Sequence, residues 1–534
     1  MIIDGEWSLS DWVILLTGVL TVLYLLGTWN HNHFKKRNIP YVKPLPFFGN
    51  MRPAICSKNK EHFPDYILRM YRQLEDHPYG GVFSFMQPVI ILRDPELIQR
   101  VTVKDFDHFT DHRSFFDEAT EPLWGKSLFN LSDERWRNMR SILNPAFTSS
   151  KTEAMFGLVS QCCQQMVEFL EQCYQQPPEQ GCFIQRDFEM LVLELKELYA
   201  RYTNDVIART AFGIEIDSFK NPTNEFYMMG QKAFKIGHLR MMKYFGYLIS
   251  PKLMQLLGVN IIPKKVTDFL RSTIYETVLT REKEDIVKPD MLQLLTQAMK
   301  GVLTDETSSE ERKKTDKSNE MDMDDIGAQA LMFFLAGFET TSTLLCFASH
   351  QLAVHPDIQN KLQEEIDATL QQHGGKITHE AVHSMKYLDM VVSETLRMFP
   401  PSVVADRLCV KPYCLEADPP VELKPGDTMF IPIYGLHHDP EHYSNPERFD
   451  PERFSDEKRQ NINPFAYLPF GSGPRSCIGK LFALMESKLA LAYLLSRFNL
   501  SVVPKTPMPL KIIQTGFNIS VKGGFWFGLQ PRNS

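Results

Sequence analysis

The sequence predicts a mainly α protein with smaller β-sheets, preceded by a single N-terminal transmembrane helix. Three patterns carry this. Residues 12–29 form an apolar run interrupted by nothing more polar than Thr17, Thr21 and Thr28. Residues 325–354 read as one long helix, almost continuously apolar in its middle (Leu331, Met332, Phe333, Phe334, Leu335), as a helix buried inside a large domain would be. Short stretches of period-two alternation read as strands and never dominate. The bulk composition agrees: 43% hydrophobic and 23% charged residues exclude a disordered, collagenous or polytopic membrane chain. At roughly 100–200 residues per domain, the 534 residues allow three or four domains or one large one.

A bilayer core of about 30 Å needs about 20 apolar residues, so the first run just reaches across. Trp12 and Trp29 stand where interfacial aromatics belong. The flank before the run is acidic (Asp4, Glu6, Asp11) and the flank after it basic (Lys35, Lys36, Arg37), which leaves the rest of the chain in the cytosol. A signal peptide would begin with basic residues, and a mitochondrial presequence would be rich in Arg and poor in acids; neither description fits. A buried core helix is the remaining alternative. No second comparable run is expected. Pro40, Pro44, Pro46 and Gly49 make residues 35–50 a basic, proline-rich hinge. Residues 81–92 read as a hairpin turning near Gln87 and Pro88. Helical, polar-faced sequence follows, until residues 301–324 turn charge-dense and read as a mobile surface loop. After the long helix, Ile358, Leu362, Ile366 and Leu370 mark an amphipathic helix stopped by Gly374 and Gly375. Another helix leads to Arg397 and ends before Pro400 and Pro401. Strands at 421–423 and 428–433 flank a turn at Pro425 and Gly426, with further strands at 498–503 and 519–521. The expected organisation is an anchor (1–34), a hinge (35–50) and one cytosolic domain (51–534).

Lys+Arg 58 against Asp+Glu 65, a net charge of −7, supplies no concentrated basic surface for phosphates, so no nucleic-acid partner is expected. The nine cysteines are few, odd in number and without CxxC spacing; they read as cytosolic thiols, with room for one that has its own chemistry. Cys477 is the candidate. It follows Phe470, Gly471, Gly473, Pro474 and Arg475 in a loop that runs into an apolar helix (Leu481, Phe482, Ala483, Leu484). A sulfur at a helix start meets free N–H groups and the positive dipole end, so the thiol is expected to be shifted toward thiolate. The glycines let the backbone approach something flat and large, and Arg475 can pair with an anionic group on it. For a lone cysteine, a structural role after a turn is the plainer reading. A cysteine nucleophile fits less well, with no His or Asn partner nearby.

The arrangement counts for more than the residue. Phe470, Gly473, Arg475, Cys477 and Gly479 match F-x-x-G-x-R-x-C-x-G, and the loop thereby resembles the haem-thiolate signature of the cytochrome P-450 family. Four further motifs stand in that family's order: Trp136 and Arg140 resemble W-x-x-x-R, residues 336–341 resemble A-G-x-D/E-T-T, Glu394 and Arg397 resemble E-x-x-R, and residues 451–454 resemble P-E-R-F. The resemblance implies the cytochrome P-450 fold from about residue 40 to 529, with haem b (iron-protoporphyrin IX) as cofactor and Cys477 as its axial iron ligand. It implies Phe470 packed beside the thiolate, propionates held by Trp136, Arg140, Arg475 and, as a weaker match, Arg407, and a structural triad of Glu394, Arg397 and Arg453. Thr340 and Glu339 become the oxygen-activating pair, the hydroxyl bonding dioxygen and the acid relaying protons. Small side chains at Ala336 and Gly337 would admit the cofactor plane. Taken alone, Thr340 would more often bond the carbonyl one turn back.

Nothing in the chain resembles a flavin or nicotinamide site, so electrons from NADPH must come through a partner. The resemblance names NADPH–cytochrome reductase, with cytochrome b-five as a second donor, docking on a patch containing Lys480, Arg475 and Arg137. Substrate contacts are expected at Phe115, Phe116, Trp124, residues 226–247, Phe333, Val403, Val404 and residues 515–517, with the loop at 234–248 dipping into the bilayer lipid. The expected function is insertion of one oxygen atom from O2 into lipophilic small molecules, xenobiotics or an endogenous lipid or hormone, at the endoplasmic reticulum (microsomal) membrane with the catalytic domain on the cytosolic face. Two alternatives are an isomerase or dehydratase acting on lipid peroxides without a reductase, and a non-catalytic membrane-anchored binding protein.

Overall fold

The computed structural model describes residues 8–51, 61–114, 118–176, 183–187, 189–235, 238–288, 290–300, 321–515 and 518–532. The apolar run forms α1 (Leu9–Thr28), started by a capping box between Ser8 and Asp11. Its large apolar side chains are exposed around the helix. Thr17, Thr21 and Thr28 donate to the carbonyls of Val13, Thr17 and Tyr24, one turn back.

Two compact units make up the chain: residues 1–113 with 404–435, and residues 114–403 with 436–534. In the first, Tyr79–Ser84, Gln87–Leu92, Thr428–Ile431 and Ala405–Leu408 form a four-stranded sheet in that spatial order. The hairpin turns at Phe85 and Met86, two residues before the expected place. Pro88 lies inside the second strand opposite Phe83, before the parallel pairing with 428–431 begins at Val89, so its missing N–H touches a single ladder. Residues 30–50 lie along this sheet. Phe34 is fully buried against Gly81, where a Cβ would stand 2.5 Å from its ring. Arg37 pairs with Asp427 at 2.7 Å, and Gly81 donates to the Pro40 carbonyl at 2.7 Å. The strands at 421–423 and 428–431 both form, in different sheets, because Val421–Leu423 pairs with Tyr413–Leu415.

The second unit is helical. Its helices used below are α2 (Asp133–Leu143), α3 (Ser149–Gln175), α4 (Leu195–Ala211), α5 (His238–Ile249), α6 (Pro251–Leu256), α7 (Met323–Val354), α8 (Pro356–Gln372), α9 (Lys386–Met398) and α10 (Lys480–Arg497). α7 is the central helix and packs on α4, α9 and α10, while α3 covers α4 and α10. α8 ends where expected, before Gly374 and Gly375, both at positive φ. A four-stranded and a two-stranded sheet complete this unit. Of the expected loop at 301–324, residues 301–320 lie outside the described residues, and Met323 and Asp324 already belong to α7. The apolar stretch read as a loop at 234–248 is largely the helix α5. By length and composition α7 could also cross a membrane, against the expectation that no second run compares with the first; 72% of its apolar window is buried in protein.

Candidate active site

The Cys477 loop is closed by the Cys477 N–H donating to the Phe470 carbonyl at 2.9 Å. Gly471 and Gly473 take φ of +71° and +72°, which any Cβ would resist. Arg475 points inward: its guanidinium donates to the carbonyls of Leu131 (2.7 Å) and Leu128 (3.2 Å) and lies 4.1 Å above the Trp136 ring. Arg140, one turn after Trp136 on α2, donates to the Ser476 carbonyl at 3.0 Å. Three residues expected to share an anionic partner are thus gathered beside Cys477. Arg475 is correspondingly removed from the expected docking patch, whereas Lys480 is exposed, 5.9 Å over the Phe470 ring, and Arg137 faces Glu134 at 3.6 Å.

The Cys477 thiol departs from expectation. Burial pushes it up, against the Gly479 N–H, Arg140 and Lys480, which pull it down. The physical reason is magnitude. A helix start favours an anion by about 0.3–1 kcal/mol, whereas burial can shift a group by several pK units. The thiol nevertheless keeps accessible surface, so it lines a recess. A neutral thiol there becomes a thiolate when a metal cation coordinates it.

On α7, Ala336 is exposed and Thr340 half-buried, although Phe333, Phe334, Phe338, Glu339 and Thr341 around them are buried. The α7 surface at Ala336 is therefore open. Gly337 faces elsewhere: a Cβ on it would stand 2.2 Å from Ile207 Cδ1 on α4, so this glycine serves helix packing, not the approach of a cofactor. Thr340 donates to the Ala336 carbonyl at 2.6 Å. Glu339 is ion-paired with Lys196 of α4 at 2.9 Å. Thr341 donates to Glu486 of α10 at 3.1 Å, and burial pushes that carboxyl up to about 8. Neither Lys196 nor Glu486 was foreseen.

Glu394 and Arg397 pair bidentately at 2.7 and 2.9 Å, fully buried, and Arg453 approaches the same carboxylate at 3.3 Å. Burial pushes Glu394 up and the two arginines oppose it. Arg397 also donates to the His437 carbonyl at 2.8 Å, and His437 accepts from the Leu468 N–H at 2.9 Å, two residues before Phe470. The expected triad forms and is tied to the cysteine loop.

Arg407 belongs to the first unit and is buried on its sheet. Next to it, Asp406 accepts from the Arg113 N–H at 2.6 Å and His112 at 3.1 Å. Burial pulls both Arg113 and Arg407 down to about 10, with Asp406 opposing. The Arg113 guanidinium donates to the Gln87 side chain and that of Arg407 to the Asp406 carbonyl at 2.7 Å. Arg113 had no motif to flag it.

Phe115, Phe116 and residues 516–517 lie outside the described residues. Of the other expected substrate contacts, Phe226, Phe333 and Val403 are buried core, and Trp124 packs on the cluster of Tyr247 and Ile261. The donor set of one recessed thiol, cationic Arg140 and Arg475 beside Trp136, and an open α7 surface at Ala336 fits a flat, dianionic iron macrocycle such as haem b.

Comparison with known proteins agrees with this geometry. A family model described as "Cytochrome P450" matches residues 39–525. The chain is 54% identical over 529 residues to "Cytochrome P450 9e2" of Blattella germanica, covering 99% of both chains. It is 38% identical to "Probable cytochrome P450 9f2" of Drosophila melanogaster, covering 98% of this chain and 100% of the relative. To "Cytochrome P450 6j1" of Blattella germanica it is 36% identical, covering 96% of each.

Proposed function

The chain belongs to the cytochrome P-450 family of oxidoreductase monooxygenases, and from this premise we propose that it is an NADPH-dependent, membrane-anchored enzyme that hydroxylates lipophilic small molecules, foreign compounds foremost. The balanced reaction takes RH, O2, two electrons and two protons to ROH and H2O. The electrons come from NADPH through a membrane reductase, with cytochrome b-five as an alternative donor. Residues 51–534 act as the monooxygenase domain behind the anchor and hinge, on the cytosolic face of the endoplasmic reticulum.

Bound haem would supply the iron centre at which dioxygen is reduced. The chain's own residues do the rest. Cys477 would ligate the iron, with Phe470 beside it. Arg140, Trp136 and Arg475 would hold propionates. Thr340 would turn its hydroxyl from the Ala336 carbonyl toward dioxygen, and Glu339 would carry protons inward. Leu239, Met242, Leu253, Leu256 and Leu257 expose large apolar side chains on and just after α5 and α6, which supports contact with bilayer lipid and uptake of substrate from it.

The observation that carries this reading is Cys477 gathered with Arg140, Trp136 and Arg475, together with the Ala336–Thr340 surface of α7. The test is a screen of lipophilic compounds with membranes containing the protein and reductase, products being read by mass. Products carrying one added oxygen only when NADPH, reductase and O2 are all present are expected. Conversion of lipid hydroperoxides without NADPH, and no oxygenated product with it, would overturn the proposal in favour of an isomerase or dehydratase.

A further inference from the structure

The strongest unassigned feature is the ammonium group on the α4 side of Glu339. Lys196 reaches Glu339 at 2.9 Å, the Ser342 hydroxyl at 2.9 Å and the Thr343 hydroxyl at 3.1 Å, which engages all three of its N–H donors. Glu339, Ser342 and Thr343 are spaced i, i+3 and i+4, so one side of α7 offers Lys196 an acid and two hydroxyls. Nearby, Thr203 of α4 donates to the Phe338 carbonyl at 2.8 Å, fixing the two helices in this register. Thr340 lies one residue, about 100°, round the helix from Glu339 and bonds Ala336 instead. The Lys196 side chain keeps 23% of its surface and that of Glu339 11%, so the pair is within reach of solvent.

We propose that Lys196 is a positioning residue for proton delivery: it holds the Glu339 carboxylate turned toward α4, where it takes a proton from solvent before acting on the Thr340 side. This rests on the assignment of Glu339 as the acid that carries protons inward. Without Lys196 the carboxylate loses its anchor, reloading slows, and electrons leave as hydrogen peroxide (O2 with two electrons and two protons) instead of driving hydroxylation.

The test uses full-length protein with reductase and compares Lys196→Met, Lys196→Arg and Glu339→Gln. Lys196→Met should raise the ratio of peroxide to product about fivefold and enlarge the solvent isotope effect on kcat, while removal of the acid in Glu339→Gln costs about a hundredfold in product rate. Lys196→Arg should restore both. A carbon monoxide difference band unchanged across the set shows that the haem site is intact. A double-mutant cycle of unfolding midpoints between Lys196→Met and Glu339→Gln should be non-additive, reporting the pair without turnover. If Glu339→Gln uncouples and Lys196→Met does not, or if Lys196→Met raises the product fraction, the Lys196 assignment is overturned. If Glu339→Gln itself changes nothing, the proton-carrying role of Glu339 fails first.

Discussion

α1 and α7 are both long and apolar enough to cross a bilayer, yet none of the apolar window of α1 is buried in protein and 72% of that of α7 is. Apolarity therefore does not separate them. What separates them is where their polar side chains go. In α1, Thr17, Thr21 and Thr28 all turn back to their own helix, as hydrocarbon requires. In α7, Thr340 and Ser342 also turn back, but other polar groups reach outward: Gln329 to the Lys126 carbonyl, Glu339 to Lys196, Thr341 to Glu486. One helix is complete in itself; the other is completed by its neighbours.

A charge placed in each helix should divide them most sharply. Leu345, fully buried on α7, replaced by Arg leaves an unpaired ion in the core and should cost more than about 4 kcal/mol, seen as loss of the cooperative unfolding transition and of haem binding. Leu16→Arg on α1 should leave the unfolding transition in place and move protein from the membrane pellet to the supernatant, insertion costing about 2.5–3.5 kcal/mol more. Glycine offers a gentler contrast. Gly337→Ala drives a methyl into Ile207 and should cost about 1–3 kcal/mol, whereas Gly18 has nothing within 4 Å and Gly18→Ala should be neutral or stabilising by up to about 1 kcal/mol, both read from unfolding midpoints.

A pH-dependent effect concerns Glu486, which meets α7 at Thr341. Its carboxyl is raised from 4.5 to about 8 in the folded protein. Between those values the unfolded chain gives up a proton that the folded chain keeps, so this group lowers stability as pH rises through the window. Glu486→Gln should flatten that decline in a comparison of unfolding midpoints across pH, and an unchanged slope would show that Glu486 does not hold its proton.

The same contrast explains what could be read from the sequence. Motifs contiguous along the chain were legible: the loop at 470–479, the pairs Trp136 with Arg140 and Glu394 with Arg397, and the α1 run. Each encodes its chemistry within one continuous stretch of sequence. Contacts between distant segments were not. Lys196 and Glu486 meet α7 from α4 and α10, and Arg113 meets Asp406 across the first unit's sheet, with no local spacing to announce them. Gly337 was misread for a related reason: a glycine's neighbour across a helix interface is invisible in one strand of text. Arg475 carries two expectations, a propionate contact and a place in the docking patch, and the carbonyls of Leu128 and Leu131 draw it inward, away from the second. Nor does length reveal that residues 404–435 return to the first unit.

The central claim is that Cys477 is the thiolate ligand of a haem iron. Full-length protein and its Cys477→Ala variant, expressed in membranes and reduced under carbon monoxide, test it directly. The parent protein should give the difference band of thiolate-ligated ferrous haem, and the variant should lack it. The same band from both proteins would contradict the account.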